Sequence, residues 1–388
     1  MGDDGGLALT VVTSNLSIVR QPPTCLHPKP LAQRAVLWCP ALHLPRCTRS
    51  HAMTDRPLIA ITLGDPSGVG PEVVAKAFAN VELHQTARLF VVGAVEPLKA
   101  AVAQTGTGAQ IRSIATPQKA ASTVSIIDVL EIKDAPASGF PTGELSTTSA
   151  QASHVWVEAA ARLAIDGYVD AISTAPVNKS AWRRAGIDDT GHQEVFKRLT
   201  GSNYVATMLV SGRLRCMHLS THLPLSDACA YVTRENVLRA IRVTHEHFTR
   251  WGFERPRIGV AALNPHGSDG GLIGNTEQEQ ITPAIADAVS EGIDARGPVP
   301  ADSIFNQGID GLHDVIVVMY HDQGHIPIKV HGFEESVSVN LGLPFLRTSV
   351  DHGTAFDIAG QNRAQSTSMV EAIRLATTLA TGRSISSG

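Results

Sequence analysis

The sequence predicts an α/β protein built on a largely parallel sheet, and three observations carry that reading. From Pro57 onward, short apolar runs of strand length alternate with longer amphipathic stretches of helical period. The 388 residues are 43% hydrophobic and 18% charged, a globular balance with length for about two domains of roughly 150 residues. Two neighbouring central runs, 205–210 and 214–219, read as adjacent strands, which suggests a second sheet region and a two-lobed α/β body.

The elements follow in order. Residues 58–63 (LIAITL) form a buried-strand run that ends at Gly64, and a helix opens near Pro71 with proline at its first position. Strands are expected at 89–92 and 124–127, a long amphipathic helix at 146–165, a strand at 169–173 and a short helix at 192–199. After the central pair, helix 235–249, strand 258–263, helix 276–290, strand 314–319 and helix 368–380 continue the alternation.

Residues 1–52 read differently. They hold six of the 22 Pro and three of the five Cys but no Glu, and their net charge of +3 leaves −7 for 53–388. Asp3 and Asp4 stand where a secretory leader needs basic residues, while an Arg-rich, acid-poor transit peptide is the other targeting reading. We expect translation to begin at Met53, with 1–52 a poorly ordered extension and 53–388 the body. No apolar run reaches the roughly 18 residues of a membrane helix, so a soluble chain is expected, with no membrane partner. A net charge of −4 without a Lys/Arg-rich run makes nucleic acid a poor partner. Five irregularly spaced Cys do not read as a disulfide framework, which fits a reducing cytoplasm.

In open α/β sheets, ligands sit beyond the carboxyl ends of strands, and the loops there are informative. Gly64–Glu72 (GDPSGVGPE) brings three glycines to a helix start; it reads either as a close approach to an anionic ligand or as a tight structural turn. Three strand ends deliver a histidine: His222 after 214–219, His266 after 258–263 and His321 after 314–319. Three neutral imidazoles at equivalent loop positions can converge on one metal and leave open coordination for substrate. His321 and His325 stand four apart, but Gly324 between them argues for a loop. His245 and His247 sit mid-helix and read as surface or packing residues. Lys179, Lys329 and Arg347 lie at element ends and suggest a site for an anionic small molecule. Asp302 and Asp322 are candidates for a general base or for a partner of a metal-bound histidine, and either also reads as a loop cap.

The segment 349–360 (SVDHGTAFDIAG) resembles the His-Gly-Ser/Thr-Ala-x-Asp-Ile-Ala-Gly element of the isocitrate and isopropylmalate dehydrogenases, where this loop lines the adenosine part of the nicotinamide cofactor site. Beyond it, GDPSGVGPE, TAPVNK, TGHQE, STHLPL, LNPHGSDGG, PADS, MYHDQGHIPIK and LGLPFLRTSVDHGTAFDIAG occur in the order found in the 4-hydroxythreonine-4-phosphate dehydrogenase family. The resemblance runs from about residue 59 to the C-terminus. It implies an isocitrate/isopropylmalate dehydrogenase-like fold, and a homodimer with the active site at its interface. It also implies an NAD-dependent, decarboxylating dehydrogenase using a divalent metal (Zn, Co, Mn or Mg), with NADP as the alternative cofactor. By the same resemblance the metal ligands are His222, His266 and His321, and the substrate contacts His192, Lys329 and Arg347. His352, Gly353 and Asp357 fall to the cofactor, and Lys179 joins Asp302 and Asp322 among the catalytic groups. Two departures bear on the substrate: Gln193 replaces the family's Thr in TGHTE, and Ser338 stands where Asn is usual, with Asn340 two residues on. HDQGHIPIK and AFDIAG resemble the catabolic branch acting on 4-phospho-D-threonate or 4-phospho-D-erythronate. The competing expectations are an aromatic cis-dihydrodiol carboxylate dehydrogenase, a metal-dependent hydrolase and a non-catalytic sensor.

Overall fold

The computed structural model describes residues 56–382, so the expectations for 1–52 and for a start at Met53 lie outside the described residues. The first half contains β1 (Leu58–Thr62), α1 (Gly70–Phe78), α2 (Val81–Thr86), β2 (Arg88–Gly93), α3 (Val95–Thr105), β3 (Gln110–Ser113), β4 (Ile126–Glu131), α4 (Thr147–Ile165), β5 (Ala171–Thr174), α5 (Lys179–Arg184) and α6 (His192–Thr200). There follow β6 (Ala206–Ser211), β7 (Leu214–His218), α7 (Leu225–Ala230), α8 (Arg234–Arg250), β8 (Ile258–Ala261), α9 (Thr282–Ser290), β9 (Ala295–Val299) and α10 (Ala301–Ile309). The chain closes with β10 (Val315–Val318), α11 (His321–His331), β11 (Val337–Leu341), β12 (Leu346–Val350) and α12 (Thr367–Ala380). Among the described residues, no helix is long and apolar enough to cross a membrane.

All twelve strands join one sheet in the order β3-β4-β2-β1-β5-β12-β11-β6-β7-β10-β8-β9. Its central strands are buried on both faces, which is why they read as continuous apolar runs rather than alternating ones. Strand β11 is antiparallel to β12 and β6, and β6 is antiparallel to β7, while the remaining pairs are parallel. The two wings of the sheet therefore run in opposite directions. The amino end of β12 shares an edge with the carboxyl ends of β7, β10 and β8.

The expected elements are present with shifted ends, the largest differences being 124–127 against β4 and the start of 276–290, where Glu277–Ile281 is a π-helical turn leading into α9. The exception is 321–325, expected as a loop because of Gly324 but in fact the start of helix α11. A Cβ on Gly324 would lie 2.4 Å from His218 Nε2, so this glycine lets the helix press against β7. Close packing, and not helix breaking, is its role.

Candidate active site

A polar row crosses the middle of the sheet. Asn340 on β11 pairs with Thr207 on β6, and the β11–β12 register sets Asn340 opposite Arg347. The β6–β7 register extends the row to His218. Arg347 is 6% exposed and donates to Thr174 Oγ1 from Nε (3.1 Å) and Nη2 (2.7 Å), and to Asn340 Oδ1 from Nη1 (2.8 Å). Its guanidinium also lies over the Phe196 ring, 5.6 Å from the centroid. No carboxylate among the described residues neutralises it, and burial pulls its pKa down to about 9.

A buried cation held only by neutral acceptors calls for an anion. His192, the first residue of α6, lies close enough to feel both Arg347 and Lys179. Burial first, then those two cations, hold its imidazole well below the usual range, so it is neutral, and its Nε2 is a buried atom without a protein partner. The exposed Lys179 at the start of α5 also acts on His222. Gln193 donates its amide to Val205 O (2.9 Å) and lines a cleft of about 320 Å³ with Tyr204, Thr207, His218, Ser220 and His222. A larger cleft, about 570 Å³, lies against α3 and β4; its surface residues, such as Val95 and Lys99, converge on no chemistry.

The three histidine-bearing loops leave adjacent parallel strands, β7, β10 and β8. The His222 and His321 rings are 6.2 Å apart between centroids. His321 Nδ1 lies 2.6 Å from Asp322 Oδ1, a pairing that leaves the lone pair of Nε2 free to act as a ligand. His266 is exposed in a run of five left-handed residues, 266–270, with φ from 44° to 70°. Buried Glu277 holds that loop by accepting the Leu263 and Asn264 amides at 2.9 and 2.7 Å. His266 does not join the other two in a closed set within the described residues. A different trio, His154, Glu158 and Asp189, brings its ligand atoms together, but Arg198 already occupies it through Glu158 (2.5 Å) and Asp189 (2.6 Å). A fixed guanidinium there repels a second cation, so that group reads as an ion-pair cluster.

Two further histidines complete the arrangement. His218 Nδ1 donates to Thr207 O (3.1 Å), so its Nε2 accepts from His325 Nδ1 (3.1 Å). His325 in turn stacks on His321 with ring centroids 3.5 Å apart. Burial drives the His218 pKa down to about 3, so it stays a neutral strut. Buried Gln323 ties the start of α11 to β8 by accepting Met319 N–H and donating to Ala262 O, each at 2.7 Å.

Of the remaining expected residues, Lys329, Ser338 and the 352–357 trio fall apart from this group. Lys329 was expected beside Arg347, yet its Nζ is paired with Asp351 Oδ2 (2.6 Å) and Ser336 Oγ (2.9 Å). Asp351 is four residues along from Arg347, roughly 13 Å at about 3.3 Å per residue. Ser338 sits on β11 opposite Ser349, and it is Asn340 that meets Arg347. Asp302 is exposed in the first turn of α10. Asp322 serves His321. His352, Gly353 and Asp357 are exposed on the loop after β12. The three glycines of 64–72 meet protein, not a ligand: their Cβ atoms would lie 2.5 Å from Pro176 O, 2.6 Å from Thr354 O and 2.4 Å from Leu63 O. That segment is a structural turn.

Sequence reasoning gave no role to Thr174, His218 or Gln323, and noted Asn340 only as the asparagine two residues beyond Ser338. The only available signal was the period of two that sets Asn340 on the same face as Ser338.

Residues 85–376 match the family described as pyridoxal phosphate biosynthetic protein PdxA. The chain is 42% identical over 328 residues to a D-threonate 4-phosphate dehydrogenase of Cupriavidus necator, covering 84% of this chain and 98% of the relative. It is 41% identical over 325 residues to a 4-hydroxythreonine-4-phosphate dehydrogenase of Geobacter metallireducens, covering 84% and 96%. The crystal structure of a 4-hydroxythreonine-4-phosphate dehydrogenase from Klebsiella pneumoniae superposes with a TM-score of 0.79 at 38% identity, covering 84% and 98%. The expected isocitrate/isopropylmalate dehydrogenase-like α/β class holds.

Proposed function

From the premise that the chain belongs to the PdxA family of dehydrogenases, we propose that it oxidises the C3 hydroxyl of a four-carbon, 4-phosphorylated hydroxy acid, with NAD as hydride acceptor and loss of CO2. The observation that carries the substrate class is Arg347, a buried cation without a carboxylate partner beside the unpartnered Nε2 of His192. A phosphate there accepts from Arg347, His192 and Lys179 and compensates the buried charge. A phosphate held at that end fixes the position of the reacting carbon. An aromatic dihydrodiol carboxylate offers Arg347 a monoanion with two acceptor oxygens, against a phosphate's larger charge and three.

The donor set also suits a divalent ion, with His222 and His321 as ligands, His266 as the third and Asp322 orienting His321. In a homodimer with the site at its interface, the set need not close within one chain. Such an ion supplies Lewis-acid polarisation of the substrate oxygens, and the dinucleotide supplies the hydride acceptor. The chain's own task is to take a proton from the hydroxyl and to exclude misplacement of the acid. With Asp322 committed to His321, Asp302 is the remaining candidate base. His352 and Asp357 suit an adenosine, the ring for stacking and the carboxylate for ribose hydroxyls; that carboxylate disfavours the 2′-phosphate of NADP. Among possible acids we favour D-threonate 4-phosphate, on the HDQGHIPIK and AFDIAG motifs and a relative of that name.

The test is NADH formation, with and without chelator, on D-threonate, D-erythronate and 4-hydroxythreonine 4-phosphates. Chelator-sensitive turnover fastest on the threonate is expected. Silence on all three with metal-replete protein would sink the proposal.

A further inference from the structure

The GDPSGVGPE segment has no place in the chemistry above, yet it is among the most deeply buried stretches of the molecule. What it touches is the loop after β12. At the near end of that loop, Val69 N–H donates to Thr354 O (3.0 Å), with Gly68 packed against the same carbonyl. At the far end, Glu72 Oε1 accepts Ala364 N–H (2.8 Å) and Lys76 Nζ (2.8 Å), while Oε2 accepts Gln104 Nε2 (3.1 Å). Lys76 Nζ also donates to Ala364 O (2.7 Å) and Asn362 O (3.3 Å). Between these anchors His352, Gly353 and Asp357 lie just before and within an exposed strap, which continues through Gly360, Gln361, Asn362 and Arg363. Ala355 and Asn362 hold positive φ of 41° and 57°, a conformation that side-chain-bearing residues keep only when their surroundings impose it.

We infer that Glu72 and Lys76 are positioning residues that clamp the far end of the 354–364 strap in the shape that receives the adenosine half of the dinucleotide. The inference rests on the NAD reading given above. The nine-residue motif is then a mount for the cofactor loop. Gly68 lets the mount come into backbone contact with Thr354, and its glutamate, with Lys76 one turn on, closes the far end. Neither side chain reaches the histidines or Arg347, so the clamp bears on dinucleotide affinity and leaves the chemical step alone.

The experiment compares wild type with Glu72→Ala, Glu72→Gln and Lys76→Met. Three quantities are read: amide hydrogen exchange across 352–364 without ligand, the Kd for NAD by calorimetry, and KM and kcat. Lys76 is 22% exposed, so Lys76→Met keeps the test open should the alanine variant fail to fold. Glu72→Ala is expected to speed exchange in the strap and to weaken NAD binding about tenfold, as for loss of a hydrogen bond to a charged group. The phosphorylated acid's KM and kcat should stay within about twofold of wild type, well below the change that one such bond makes. Glu72→Gln, which keeps an oxygen for Ala364 N–H, should recover most of the loss, and Lys76→Met should fall between. Unchanged strap exchange, or faster exchange with an unchanged Kd for NAD, overturns the clamp. A wild type that itself binds no NAD overturns the dehydrogenase reading instead, and the two failures cannot be confused.

Discussion

Arg347 bears a cost in the resting protein that only a ligand relieves. Replacing it with Met removes a desolvated charge and keeps much of the packing against Phe196, so the expected outcome splits stability from function. Arg347→Met should melt no lower than wild type, while KM for the phosphorylated acid rises about a hundredfold, in line with loss of a buried charged contact. Scanning calorimetry and initial rates check both halves. His247 makes a different case: its Nε2 accepts Gly342 N–H (2.8 Å), and burial lowers its pKa to about 4. The folded form therefore binds this proton less well than the unfolded one. Its contribution is intact above about pH 6.5, is lost as pH falls towards about 4, and changes no further below that. Denaturant titrations across that window should give a shallower decline for His247→Gln. At this scale the sequence singled out the charged and imidazole residues, because their chemistry is intrinsic. It gave Thr174 no role and noted Asn340 only beside Ser338, since both meet Arg347 through strands that become neighbours only in the fold. Nor did it show that Lys329 would pair with Asp351, for which only the fold brings the two together.

At the scale of elements, α11 is where local reasoning and packing part. Helix propensity predicts a gain of about 1 kcal/mol for Gly324→Ala. The added Cβ would instead lie 2.4 Å from a buried imidazole atom, with Val318 Cγ2 at 2.8 Å. We expect destabilisation of about 2 kcal/mol from this overpacking, seen as a lower denaturation midpoint. A gain would remove the packing account of this glycine. The long amphipathic helix α4 and most buried strands were legible, the helix by its period and the strands as continuous apolar runs. The edge strands β3 and β9, the buried pair β11 and β12 and the helices α2, α3, α5, α7 and α10 went unassigned: exposed or small residues, or the Ser, Asn, Arg and Thr that interrupt 337–350, weaken their patterns.

At the scale of the whole molecule, the helix that bears His321 carries exposed apolar residues along one side. Ile326 and Val330 on α11 are 59 and 82% exposed, Phe333 just past its end is 71% exposed under Lys329 Nζ, and Leu272 after the His266 loop is 88% exposed. The proposed homodimer would bury these residues. Val330→Asp should therefore yield monomers in sedimentation at micromolar protein and, with the site at the interface, cut turnover by at least about tenfold, since charge is depleted in interface cores. A dimer that persists with full activity would count against that arrangement. The α/β class followed from strand and helix alternation, but the opposed wings did not, since alternation alone carries no strand order.

The sheet order has one more consequence, for the chain as it is made. Strands β12 and β11 lie between β5 and β6, so the last two strands in sequence fill the centre. Until 337–350 has been synthesised, β5 and β6 each present an open edge, and the two wings share no hydrogen-bonded ladder. Arg347 and Asn340 arrive on those same strands. Assembly of the anion pocket and closure of the sheet are thus a single late event, and a nascent chain arrested before residue 337 has two sticky edges and no pocket.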